Sequence, residues 1–273
     1  MKRFLAMYAA AGYLFLYLPL AVLAVFSVNA SKVAVWHGFT WSWYVQVIHD
    51  EGLLEATMNS LIIAASATLV STVLGTLAGY AMWKRRSPLL TTSLYLSLLT
   101  PEIVTGVSLL AFFEWIFRFL HVQLGMHTVI LAHISFSLVY VVMVVMARLR
   151  TFDESLEEAA LDLGATEWQV FRYVTVPMLL PGIAAAALLC FTVSFDDYVI
   201  TSLVAGVNSE TLPMMIYGMA RRGVSPEVNA LSVMITVALG ILILLAGRLE
   251  QSSPKSAQGS KLEQSFGAEA RAT

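Results

Sequence analysis

Six long apolar stretches, at residues 7–28, 57–83, 89–113, 128–147, 178–195 and 230–247, leave this chain no water-soluble fold. Each is about the length at which a helix rising ~1.5 Å per residue crosses a ~30 Å hydrocarbon core. Lipid offers backbone N–H and C=O groups no water to bond, so spans of this length must satisfy those groups internally, as helices. Composition agrees, with 58% of the 273 residues hydrophobic, 12% charged and a mean hydropathy of +0.76. The expected fold class is an all-α polytopic membrane protein of about six transmembrane helices. One transmembrane domain is expected over residues 1–250, and a disordered tail rich in Ser, Gln, Ala and Gly over 251–273. The first span follows Met1-Lys2-Arg3, as a signal peptide would. It is long for one, and no small-x-small cleavage site precedes soluble sequence, so it reads as a retained helix. The single cysteine, Cys190, rules out an internal disulfide framework and reads as a small packing residue.

Basic residues orient the spans. With the amino terminus inside, Lys2, Arg3, Lys84, Arg85, Arg86, Arg148, Arg150, Arg172, Arg248, Lys255, Lys261 and Arg271 share one side. Only Lys32, Arg118, Arg221 and Arg222 fall on the other. The side rich in Lys and Arg is cytoplasmic. Both termini and the polar loop at 151–177 are therefore expected in the cytoplasm of a bacterial cell, with the chain crossing the inner membrane several times.

That loop, TFDESLEEAALDLGATEWQVFRYVTVP, is the longest polar interruption with basic flanks. It reads as two short helices joined at a glycine. Thr151 with Glu154, or Ser155 with Glu158, can form an N-terminal capping box. Leu156, Ala159, Ala160 and Leu163 then fall on one apolar stripe with acidic residues around it. Gly164 suits the left-handed conformation that ends a helix. Thr166 and Gln169 can cap the second helix, and Pro177 either stops it or starts the next span.

Few charges lie within the spans, and those few are informative. The third span is broken by Pro101-Glu102, some twelve residues in and so near mid-membrane by that count. A carboxylate at that depth costs about 2.5–3.5 kcal/mol against lipid, so it faces either a pathway or a bonding partner on another helix. The fifth span ends in Ser194-Phe195-Asp196-Asp197-Tyr198. Adjacent carboxylates repel, which leaves a solvated helix end or a cation-neutralised pair as readings. Trp36, Trp41, Trp43 and Tyr44 in the first external loop have the composition of an interfacial belt. Gly75 and Gly79 have the small-xxx-small spacing that lets helices approach closely. His133 has no metal-ligand spacing around it and receives no role. The segment 199–227, with Gly206, Pro213 and Gly218, is apolar enough for partial re-entry into the membrane. The sequence holds no phosphate-binding Gly-x-x-x-x-Gly-Lys-[Ser/Thr] loop, no zinc-protease or serine-hydrolase motif, and no basic stripe for nucleic acid. Neither an enzyme nor a nucleic-acid binder is indicated.

The loop resembles the EAA motif of binding-protein-dependent ABC-transporter permeases: Glu-Ala-Ala, three residues, Gly, nine residues, Ile-x-Leu-Pro. Here it stands as Glu158-Ala159-Ala160, Gly164, Val174, Val176 and Pro177, with two valines for Ile and Leu. The likeness narrows to the second subunit of the spermidine/putrescine permeases. It is carried by the Ser194–Tyr198 run, Thr211-Leu-Pro-Met214, Gly223-Val-Ser-Pro-Glu-Val-Asn-Ala230, Pro101-Glu102-Ile103-Val104 and Phe39-Thr-x-x-Trp43-Tyr44. The resemblance implies a MetI-like permease fold and an ATP-driven importer of alternating access. Glu158, Ala159, Ala160, Gly164 and Pro177 would belong to a helix that docks on an ATPase, present in two copies and binding the ATP. A related second permease subunit and a periplasmic or surface solute-binding protein would complete the assembly. The implied solute is a polyamine, its ammonium groups opposed by Glu102, Asp196 and Asp197 and faced by Trp43, with Ser194 beside the path. Glu102 stands where the family usually has Asp, which keeps the charge but lengthens the arm and leaves the particular amine open. Because related importers share the coupling loop, a permease for another small cationic or organic solute is an alternative reading. An ATP-independent secondary carrier is the reading from a different class. No cofactor or metal of the chain's own is implied.

Overall fold

The computed structural model describes residues 2–31, 35–120, 122–223 and 225–251. The described chain folds into α1 (Lys2–Phe26), α2 (Ser42–His49), α3 (Glu51–Arg85), α4 (Pro88–Leu99), α5 (Glu102–Leu120) and α6 (Met126–Leu149). There follow α7 (Ser155–Asp162), α8 (Glu167–Val170), a π-helical turn at Phe171–Thr175, α9 (Val176–Asp196), α10 (Val199–Val204), α11 (Leu212–Arg221) and α12 (Pro226–Gln251). Four helical stretches are long and apolar enough to cross a membrane: Phe4–Phe26, Glu51–Arg85, Met126–Leu149 and Glu167–Asp196. The bent pair α4–α5 makes up to a fifth. The sixth expected span falls on α12, whose described apolar part is Pro226–Ile241. The tail expected over 251–273 lies, beyond Gln251, outside the described residues.

The backbone corrects one boundary and bears out two other expectations. The second span begins six residues early, because Asp50 caps α3 by accepting the Leu53 N–H at 2.9 Å. The third span is broken at Pro101-Glu102 as expected, with α4 and α5 meeting at 104°. Proline pushes the residue before it out of the helical region, and Thr100 is accordingly extended, at φ −71° and ψ 126°. Glu102 therefore opens a new helix instead of sitting inside an old one. Pro177 takes the second of its two expected roles, at the start of α9. Its ring would clash with the carbonyl four residues back, and the chain widens into a π turn there, in which the Val176 N–H bonds to the Phe171 carbonyl.

The chain divides into two units, residues 1–47 with 225–273, and residues 48–224. In the first, α1 and α12 pack together. A turn after α1 is held by Asn29, whose amide oxygen accepts the His37 N–H at 2.9 Å and whose amide nitrogen donates to the Val35 carbonyl at 2.9 Å. In the second, α3, α6 and α9 form the central bundle. Lipid is as apolar as leucine, so close packing rather than the hydrophobic effect holds such helices together. The expected glycine pair supplies that approach. A Cβ on Gly75 would lie 2.7 Å from Val141, and one on Gly79 would lie 3.1 Å from Val145. Buried Val141, Val145, Leu149, Leu179, Ala186 and Cys190 continue the seam, where Cys190 is the packing residue expected. The segment after α9 folds back over the same unit. The Thr128 hydroxyl donates to the Val204 carbonyl at 2.7 Å, Asn59 donates to the Glu210 carbonyl at 2.9 Å, and Ser60 accepts the Leu212 N–H at 2.9 Å.

Candidate functional site

Local rules shape the loop between α6 and α9. Neither of the expected capping boxes at its start forms. Glu154 is already helical, and the shorter Asp153 reaches the Ser155 N–H at 3.1 Å. Hydrogen bonds from Ser155 hold the Asp153 carboxyl below its usual range. At the far end α7 closes as the sequence requires. Gly164 is left-handed at φ +86°, its N–H bonds to the Leu161 carbonyl at 2.9 Å, and the Ala165 N–H bonds to the Ala160 carbonyl at 3.1 Å. α8 then starts with the expected box. The Thr166 N–H donates to the Gln169 side chain at 2.7 Å, and the Gln169 N–H donates to the Thr166 hydroxyl at 3.3 Å.

The apolar stripe of α7 turns outward. Leu163 is 90% exposed, Leu156 and Ala159 are exposed, and Ala160 is half-buried. Glu158 and Pro177 are exposed as well. What α7 buries is a carboxylate. Glu157 is 2% exposed and forms an ion pair with Lys84 of α3. It also accepts hydrogen bonds from the Tyr80 hydroxyl at 3.3 Å and from the Thr175 hydroxyl in the π turn. One side chain thus ties α7 to α3 and to the π turn that leads into α9. Above it lies a cavity of about 510 Å³ walled by Leu77, Leu161, Trp168 and Phe171, where the Tyr80 and Phe171 rings lie 4.8 Å apart. Sequence reading fixed on Glu158 and missed Glu157. Nothing in the sequence singled it out, because a lysine at the end of a membrane span can snorkel to the interface without a partner.

The expected path residues separate into two environments within residues 48–224. Asp197 is an interior group. Its side chain is 6% exposed, lies 3.5 Å from His133 Nε2, and accepts the Thr201 N–H and hydroxyl at 2.8 Å each. His133 Nδ1 meets the buried Ser194 hydroxyl at 2.7 Å, and Nε2 meets Thr201 Oγ1 at 2.9 Å. The cluster joins α6, α9 and α10 and gives the unassigned histidine its role. Asp196, one residue earlier, is exposed, as is Glu102 in the first turn of α5. Among the described residues no hydrogen bond or ion pair is recorded between Glu102 and either aspartate. The Tyr198 and Tyr217 rings lie 4.2 Å apart, tilted by 31°, and the Arg221 guanidinium lies 4.8 Å from the Tyr217 ring. Trp43 belongs to the other unit, where it is 6% exposed and its indole N–H donates to the Asn29 carbonyl at 2.7 Å. No group of three or more metal-ligating side chains occurs among the described residues.

The described helices thus form an apolar bundle with an outward-facing helical loop tied to it through Glu157. The chain belongs to the family described as the binding-protein-dependent transport system inner membrane component, whose model matches residues 71–252. It is therefore a multi-pass permease subunit of an ABC importer. It is 40% identical over 251 residues to the putrescine transport system permease protein PotI of Escherichia coli (strain K12), covering 89% of each chain. It is 38% identical over 241 residues to the spermidine/putrescine transport system permease protein PotC of the same organism, covering 87% of this chain and 89% of that one. Its fold matches a chain of a bacterial ABC transporter involved in the import of the acidic polysaccharide alginate, with a TM-score of 0.72 at 16% identity over 93% of this chain and 97% of that one. The MetNI methionine ABC transporter matches with a TM-score of 0.58 at 18% identity, over 74% of this chain and 98% of that one.

Proposed function

We propose that this permease carries polyamines inward and takes its driving force from ATPase subunits that dock on α7 and α8. A diammonium ion entering a low-dielectric passage must exchange its hydration for fixed negative charge, or desolvation blocks it. The observation that carries the solute class is Asp196. It is an exposed carboxylate at the end of a membrane-crossing helix, beside an aspartate already satisfied by His133 and Thr201. Glu102, exposed at the break between α4 and α5, offers a second charge. Similarity to putrescine and spermidine/putrescine permeases along nearly the whole chain supports the same reading.

The exposed leucines and acidic residues of α7 form the docking face, with Glu158, Ala159, Ala160 and Gly164 in it. Two ATPase copies bind the ATP, a related second permease subunit completes the path, and a periplasmic or surface binding protein delivers the solute. The loop and both termini lie in the cytoplasm, as the bias of Lys and Arg requires. Uptake of labelled putrescine by the assembled complex tests the proposal. Asp196→Asn is expected to abolish most uptake while the complex still assembles, and wild-type uptake by that variant would overturn the assignment.

A further inference from the structure

A second cavity, of about 330 Å³, opens where the ends of α3, α4 and α6 converge. Arg86 and Arg150 line it, Ser87 and Thr92 add hydroxyls, and Trp83 and Met146 form part of its apolar wall. No acidic residue is among the lining groups. We infer that this cavity binds the phosphate headgroup of an anionic phospholipid.

Arg86 and Arg150 are the C-caps of α3 and α6, where a cation complements the helix dipole. The dipole explains a positive charge at either helix end. It does not explain why both charges border one hydroxyl-lined cavity. Nor does it explain the backbone of Arg86, which is left-handed at φ 47° and ψ 39°. Glycine adopts that conformation without strain, so an arginine there carries a conformational cost set against what its side chain does, which includes the ion pair with Glu154. A guanidinium fork matches a phosphate oxygen pair, and hydroxyls supply the neutral donors. The apolar wall favours a lipid over free phosphate, because Trp83 and Met146 lie on membrane-crossing helices and provide a seat for glycerol and the upper acyl chain. The cavity also lies at the basic end of the bundle, the level at which lipid phosphates are met.

The site reaches α7 through one contact. Arg86 donates to the Glu154 carboxylate at 2.8 Å, immediately before the first turn of α7. A phosphate in the cavity competes with Glu154 for that guanidinium, so headgroup occupancy and the anchoring of α7 are linked. The inference concerns binding alone and stands independently of the transported solute.

Native mass spectrometry of the purified chain tests it, with dioleoyl-phosphatidylglycerol titrated against dioleoyl-phosphatidylcholine in detergent. The wild type is expected to retain one phosphatidylglycerol in preference to phosphatidylcholine. Arg86→Gln with Arg150→Gln is expected to weaken retention about thirtyfold, the combined effect of two basic groups near a lipid surface. Met146→Trp, which fills the cavity from its apolar side and leaves both charges, is expected to weaken it as well. Glu154→Gln removes the competitor and is expected to raise affinity about two- to fivefold, the range of an exposed ion pair. Because that variant gains binding, misfolding cannot produce the result. Equal retention of the two lipids, or phosphatidylglycerol binding unchanged in the arginine pair, would overturn the inference. So would unaltered affinity in Glu154→Gln. Displacement by millimolar inorganic phosphate as readily as by added phosphatidylglycerol would overturn the lipid assignment in favour of a soluble anion.

Discussion

Neutralising Glu157 is the sharpest perturbation of the anchoring that holds α7. Glutamine keeps the length and shape of the side chain, so hydrogen bonds with Thr175 and Tyr80 can persist, but the charge facing Lys84 is lost. A hydrogen bond to a charged group contributes about 1.5–3 kcal/mol. Lys84 keeps 48% of its side chain exposed while Glu157 keeps 3%, so solvent screens one partner and discounts that range to about 1–2 kcal/mol. Lys84→Met is the harsher change, because it strands a carboxylate in the interior, where losing a buried partner costs up to about 3–5 kcal/mol before the same discount. Combining Lys84→Met with Glu157→Gln removes both charges, and the double variant is expected to be more stable than Lys84→Met alone. Equilibrium unfolding in mixed detergent gives the three free energies. The ATP hydrolysed per putrescine imported shows whether the anchor matters for coupling. Glu157→Gln is expected to bind the ATPase normally, since the exposed face of α7 is unchanged, but to hydrolyse more ATP per solute moved. Additivity of the two substitutions within about 0.5 kcal/mol, together with an unaltered ratio of ATP to solute, would refute the reasoning.

Other parts of the account are open to similar tests. Gly164→Val places a β-branched residue at φ +86° with open space around it, so it is expected to cost about 1–2 kcal/mol locally, leave the bundle folded, and lose capture of the ATPase in pull-down. Gly75→Val drives a side chain into Val141 and is expected to destabilise the bundle by about 1–3 kcal/mol in the same unfolding assay. Asp197→Asn is expected to lower stability, because a buried acceptor for Thr201 and a partner of His133 is weakened, whereas Asp196→Asn is expected to leave stability unchanged. Reporter fusions after Arg86 or within residues 155–166 are expected to be cytoplasmic and those near His49 or Asn208 external; the reverse pattern would overturn the proposed orientation.

Much of this architecture was legible because lipid allows few solutions. Long apolar runs had to be helices, Gly75 and Gly79 had to permit contact, and Gly164 had to end α7 where it does. The interior of the polar loop was less legible. An amphipathic helix ordinarily buries its leucines, and α7 exposes Leu163 while burying Glu157. Hydrophobic periodicity detects such a stripe but not the direction it faces, which depends on Lys84, Tyr80 and Thr175, all distant in sequence or in another element. The path residues divide for the same reason. Asp196 and Asp197 are equivalent in a string of letters, and the turn into α10 sends one toward His133 and leaves the other exposed. Trp43, an expected path residue, has its indole N–H committed to the Asn29 turn, a contact that depends on how the loop folds.

The central claim is that the chain is the permease of an ATP-driven polyamine importer. Its most direct test is accumulation of labelled putrescine and spermidine in proteoliposomes containing this chain with its ATPase, second permease and binding protein. The expected result is accumulation that requires ATP on the side of the membrane where the ATPase subunits dock, competes with unlabelled polyamine, and falls to background with Asp196→Asn. Accumulation without ATP, or ATP-driven uptake of an uncharged solute that polyamines do not inhibit, would contradict it.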